Sequence, residues 1–134
     1  MREAMEEWLP AAGVGYRWEE RLGGRRRSVP GSPNVALRNS AFRAYADYMA
    51  TEPFRAAFDE LLAQSAARST AILCSESLWW RCHRRLVADA ATLLAGTQVE
   101  HLLHNGRLTA HAPTDGVRLD GERLVYDGGA ARLL

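Results

Sequence analysis

Between residues 41 and 66 apolar side chains recur every three or four positions: Phe42, Tyr45 and Met49, then Phe54, Phe58, Leu61 and Leu62. That spacing predicts amphipathic helices. The Thr51-Glu52-Pro53 step, a capping residue followed by an early proline, predicts two helices with a break near Ala50. Met5, Trp8 and Leu9 predict a short first helix ending at Leu9-Pro10. From residue 78 to 95 the stripe His83, Leu86, Val87, Ala90, Leu93 and Leu94 predicts a further helix, stopped by Gly96. "TAILC" (residues 70–74) and "VEHLL" (99–103) flank that helix and read as buried strands. A strand, helix and strand within about 30 residues has the size of a right-handed crossover unit, so the two strands are expected to be parallel neighbours.

The remaining segments read less regularly. "VGYRWEE" (14–20) suggests a short strand weakened by Gly15. Residues 22–39, broken by glycines, prolines and serines, read as a long surface loop of the kind that forms lids or binding loops. "RLTAHAP" (107–113) and "ERLVYD" (122–127) read as an edge hairpin or a C-terminal ornament, with "TDGVRLDG" (114–121) supplying turns. The expected fold is α/β: a small domain of two or three layers, with a short, mainly parallel sheet and flanking helices. Residues 1–134 are read as one domain, with 106–134 as a C-terminal hairpin extension.

Composition narrows the class of protein. With 47% hydrophobic and 25% charged residues, the chain has the balance of a soluble globular domain and not of a disordered tail. Its 17 Lys and Arg residues, all of them arginine, face 16 Asp and Glu, so a net charge of +1 gives no global field to recruit nucleic acid or membrane. No apolar run approaches a membrane span and the opening "MREAMEEWLP" lacks the form of a signal peptide, so the expected location is the cytoplasm. There the two cysteines, Cys74 and Cys82, are expected to be free thiols.

The stretch "CSESLWWRCHRR" (74–85) concentrates the reactive groups. In the expected fold Cys74 ends a strand, Glu76 lies in the connecting loop, and Cys82 and His83 open the helix, at the strand ends where open parallel sheets hold ligands. His83 faces inward with Glu76 as its hydrogen-bond partner. Several chemistries fit. Cys82, near a helix start and beside Arg81 and Arg84, is placed for a stabilised thiolate, with Cys74 the quieter thiol. Catalytic roles fall to Cys82, Glu76 and His83. An anion site needs less: the helix amides, Arg84, and Gly23, Gly24 and Arg25 from the loop could surround a phosphate or carboxylate, with Cys74 and Trp79 completing the pocket. No metal is expected, because adjacent Cys82 and His83 would leave a helix in different directions, and no cofactor motif is present. Trp79 and Trp80 could stack on a nucleobase, but without a nucleic-acid-binding motif they read as packing residues or a pocket cover.

Three segments resemble one bacterial family, the domain of unknown function 488. "AILCSESLWWRCHRRLVADAATLLAGTQVEHLL" (71–103) is similar to its signature, a strand ending in Cys-x-Glu, a helix opened by Cys-His-Arg, and a strand bearing a histidine. "GVGYRWEERLGGRRR" (13–27) resembles its tyrosine-containing strand and Leu-Gly-Gly loop, and "FRAYADYMATEPFRAAFDELL" (42–62) its following helices. The resemblance, over residues 1–105, implies a small α/β domain with a functional pocket at Cys74, Glu76, Cys82, His83, Arg84, Gly23, Gly24 and Arg25. It names no reaction. Members usually carry a strand and an Asp-x-Arg motif ahead of the segment matching residues 2–9, and neither occurs here; the sheet edge this leaves is expected to pair with a second copy of the chain. Two function classes follow: a small-molecule or nucleotide-related enzyme acting on an anionic ligand, and a non-catalytic binding or interaction domain in which Glu76 and the arginines form a structural network.

Overall fold

In the computed structural model, which describes residues 2–76 and 78–128, the chain opens with α1 (Arg2–Ala11), with Pro10 in its last turn. Gly13, at φ +83°, follows it in a conformation that favours glycine. None of the residues of α1 is buried. The segment expected as a strand, 14–20, is irregular and runs into a single 3-10 turn, Glu20–Leu22. The Glu19 side chain competes for that backbone by accepting from the Arg21 amide, a local bond that a strand ladder would have to replace.

The two helices expected between residues 41 and 66 both form, with the break near Ala50. Asn39 accepts from the amides of Ala41 and Phe42 and opens α2 (Ser40–Tyr48). Thr51 and Pro53 open α3 (Glu52–Ala67). Tyr45, Phe54, Phe58, Leu86, Val87, Ala90 and Tyr126 form one cluster with their neighbours. Phe54 stands edge-on to Tyr45 and stacks on Phe58, with ring centroids 6.0 and 5.7 Å apart.

The fourth helix begins later than its apolar stripe suggests. A one-turn 3-10 helix, Trp79–Arg81, is followed by Cys82 in extended backbone, and α4 (Arg84–Leu93) starts only after His83. Gly96, at φ +63°, follows it.

The sheet differs from the expected parallel one. β1 (Glu100–Leu102) pairs antiparallel with β2 (Leu108–Ala110), with His101 opposite Thr109. β3 (Val117–Asp120) pairs antiparallel with β4 (Arg123–Tyr126), with Val117 opposite Tyr126. Residues 71–74 form no strand; Ile72 and Leu73 are 39% and 57% exposed. The expected pairing of "TAILC" with "VEHLL" is therefore wrong, and so is the single edge hairpin, since "RLTAHAP" pairs with β1 and "ERLVYD" with a strand inside the supposed turn segment. Loop closure explains both corrections. β1 reaches β2 through residues 103–107 and β3 reaches β4 through residues 121 and 122, whereas a parallel pair must first close a whole helical crossover. Among the described residues the fold is mixed α/β with two antiparallel hairpins. β4 joins the helical core through Leu124 and Tyr126. The last six residues of the expected C-terminal extension, 129–134, lie outside the described residues. Among the described residues no helix is long and apolar enough to cross a membrane.

Candidate functional site

Cys82 organises the site. Its extended backbone (φ −123°, ψ 151°) precedes His83 at φ −59°, so the two side chains are not splayed as they would be on successive helical positions. The Cys82 Sγ lies 3.5 Å from His83 Nδ1. It also accepts from the Arg84 amide and from Arg84 Nε, each at 3.4 Å. The Cys74 Sγ lies 2.6 Å away. Cys74 Sγ, Cys82 Sγ and a His83 ligand atom all fall within 4.8 Å of one another, the one His/Cys/carboxylate group of this kind among the described residues with the donors to hold a metal ion.

Cys82 is 4% exposed, while Cys74 is half-buried. Burial opposes ionisation of Cys82, but hydrogen bonds from His83, the Arg84 amide, Cys74 and the Arg84 guanidinium outweigh it and bring the thiol down to about 6. Burial, and then the hydrogen bond to Cys82, push Cys74 the other way. The two thiols are therefore shifted in opposite directions, Cys82 being the more readily ionised.

The other sequence-selected residues divide. Arg84 is committed inside the cluster: besides Cys82, its Nη2 donates to the Glu76 carbonyl at 2.7 Å. The Glu76 carboxylate accepts from the Leu78 amide at 3.2 Å and not from His83. His83 packs instead on the Tyr45 ring, with centroids 4.9 Å apart, so it faces α2 and not a sheet. Gly24 touches the site, since a Cβ there would lie 2.5 Å from His83 Nδ1. Gly23 donates its amide to the Glu20 carbonyl and accepts from Arg26 Nε. Arg25 is exposed. Arg26, whose guanidinium lies 3.7 Å from the centre of the Tyr48 ring, closes the loop on itself.

Trp79 lies against a second polar cluster, which the sequence reading did not select. Its ring stacks on His101 at 3.8 Å, nearly coplanar. His101 Nε2 is 2.7 Å from His111 Nδ1, and His111 Nε2 is 2.7 Å from Asp89 Oδ1. Asp89, wholly buried, also accepts from the Thr114 amide at 3.0 Å and from the Tyr126 hydroxyl at 2.7 Å. His111 thus bridges His101 and Asp89 through its two ring nitrogens. The signal available in the sequence was Asp89 itself, a carboxylate beside Val87 and Ala90 on a buried helix.

The profile of the family described as "Domain of unknown function DUF488" matches residues 1–91. The chain belongs to this family. No curated protein and no solved structure matches it. The DUF488 match takes in Gly24, Cys74, Glu76, Cys82, His83, Arg84 and Asp89, and ends before His101, His111 and both hairpins. The thiol cluster thus lies inside the family segment, while the histidine partners of Asp89 lie beyond it.

Proposed function

We propose that this DUF488 chain is a dithiol domain that exchanges a Cys74–Cys82 disulfide with external thiols. The observation that carries the reading is the convergence on Cys82 Sγ of a second sulfur at 2.6 Å and two N–H donors of Arg84 at 3.4 Å. The anion for which Arg84 and the start of α4 seemed suited is, on this reading, the Cys82 thiolate. A disulfide needs a sulfur separation of about 2.05 Å, so a small side-chain rotation suffices to form it.

The chemistry assigns each sulfur a role. An external thiolate attacks Cys74 Sγ, the more exposed sulfur of the oxidised pair. The S–S bond breaks and Cys82 leaves as a thiolate received by Arg84, while Cys74 carries a mixed disulfide. A second external thiolate attacks the outer sulfur of that mixed disulfide, releasing the external disulfide, and Cys74 takes a proton. Two electrons pass from the external thiols to the protein, and the reverse sequence reoxidises it. A stabilised leaving thiolate speeds the first step and makes the couple more oxidising.

Equilibration of the 134-residue chain in glutathione buffers of graded ratio, followed by acid trapping and intact mass measurement, tests this. Loss of two hydrogen atoms, with Cys74 and Cys82 joined in one peptide, is expected, and Cys74→Ser should leave Cys82 without intramolecular closure. Two free thiols at every glutathione ratio would overturn the proposal.

A further inference from the structure

The same sulfurs, once reduced, have a third donor beside them that disulfide exchange does not use. We propose that the reduced chain binds one Zn²⁺ through Cys74 Sγ, Cys82 Sγ and His83 Nδ1, with a fourth position left for water or an incoming thiolate. The proposal rests on the dithiol reading for the reduced state of the pair and extends it to His83.

The sequence argument against a metal assumed that Cys82 and His83 both lie in a helix. They do not: both precede α4, and their donor atoms are already 3.5 Å apart. A tetrahedral zinc with Zn–S near 2.3 Å and Zn–N near 2.0–2.1 Å spaces its ligand atoms by roughly 3.5–3.8 Å, so this edge of the site fits as it stands. The sulfurs, at 2.6 Å, would have to part by about 1 Å. Cys74 can supply that movement, because residues 69–76 have no helix or strand pairing and Cys74 is the half-buried residue in an otherwise exposed run.

Two surrounding features suit a bound cation. The Arg84 amide and Nε donate to Cys82 Sγ, the outer hydrogen bonds that orient a metal thiolate. Gly24 lies against the face of the His83 ring, where a Cβ would meet Nδ1 at 2.5 Å, Cε1 at 2.9 Å and Cγ at 3.0 Å, so the loop backs the imidazole without a side chain of its own. Two thiolates neutralise the charge of Zn²⁺, and a borderline-soft ion suits two sulfurs and one imidazole. Three protein ligands with one open position is the coordination of a reactive zinc site, whereas structural sites close all four.

Reduced 134-residue chain is loaded with Zn²⁺, desalted and assayed for zinc per chain. A Co²⁺-loaded sample is read for sulfur-to-cobalt charge-transfer absorption. One zinc per chain and a thiolate–cobalt band are expected, both lost in Cys74→Ser and Cys82→Ser. His83→Gln, checked for folding by circular dichroism, should weaken zinc at least about 10-fold yet still form the Cys74–Cys82 disulfide. Gly24→Ala, whose Cβ would press on the face of the His83 ring and displace it, should weaken zinc with both sulfurs intact. Failure of the reduced wild type to retain zinc, or equal retention by folded His83→Gln, would overturn the site. Zinc binding without any disulfide in glutathione buffers would instead sink the exchange function and leave the metal site standing.

Discussion

Asp89 shows how much one side chain can hold. Its two oxygens accept from His111 Nε2, the Thr114 amide and the Tyr126 hydroxyl, and it has no exposed surface. Asp89→Ala would leave three buried donors without an acceptor, a loss of about 3 kcal/mol or more, and Tm by circular dichroism should fall by roughly 10 °C. Tyr126→Phe removes one donor and leaves the carboxylate two, so its loss should be nearer about 1–2 kcal/mol. Equal losses for the two variants would mean that Asp89 is not the shared acceptor. At this scale the sequence marked the cysteines, His83 and Arg84 because their chemistry is rare and clustered. It did not mark His101 and His111, because their role depends on a helix residue 12 and 22 positions earlier in the chain.

Elements were legible where their signals are local. The break between α2 and α3 follows from the Thr51-Glu52-Pro53 step, with Pro53 in the first turn of α3. "TAILC" misled because an apolar run carries no information about its partner, and β2 lay nearer to β1 than any crossover strand could. The apolar stripe through His83 likewise extends beyond the helix, since periodicity cannot place an N-terminus that a 3-10 turn and extended Cys82 displace. The segment from Arg68 to Glu76 is fastened near its end, by Cys74 to Cys82 and by Arg84 to the Glu76 carbonyl. Oxidation of the pair should therefore slow tryptic cleavage after exposed Arg68, and Arg84→Ala should speed it in the reduced protein, both read as the rate of appearance of the cut chain. A rate indifferent to both changes would show that these contacts do not restrain the segment.

Across the whole molecule, two of the polar bridges between the C-terminal hairpins and the helical core run through Asn34 and Asp89. Asn34 accepts from the Tyr126 amide and donates to Asp47, tying β4 to α2. The Asp89–His111–His101 chain ties α4 to β1, with Trp79 stacked against its end. The second bridge makes assembly sensitive to pH. Burial, then the charges of His111 and Arg84, hold His101 down at about 4, against the opposing pull of Asp89. An unfolded histidine titrates near 6.5, so above that pH both states are neutral and His101 does not alter the folding equilibrium. As pH falls from about 6.5 towards 4 the unfolded chain binds the proton and the folded one does not, and stability declines through that window. Glu19, held at about 2 chiefly by its hydrogen bond to Arg21, acts lower: its contribution is present above about 4.5 and is lost as pH falls from there towards 2. Tm of the wild type should therefore decline measurably between pH 6.5 and 4.5, before the Glu19 window opens. His101→Gln can hydrogen-bond His111 Nδ1 as donor or acceptor but cannot titrate, and its Tm should be flatter over that interval. Parallel curves for the two proteins would locate the acid sensitivity elsewhere than His101.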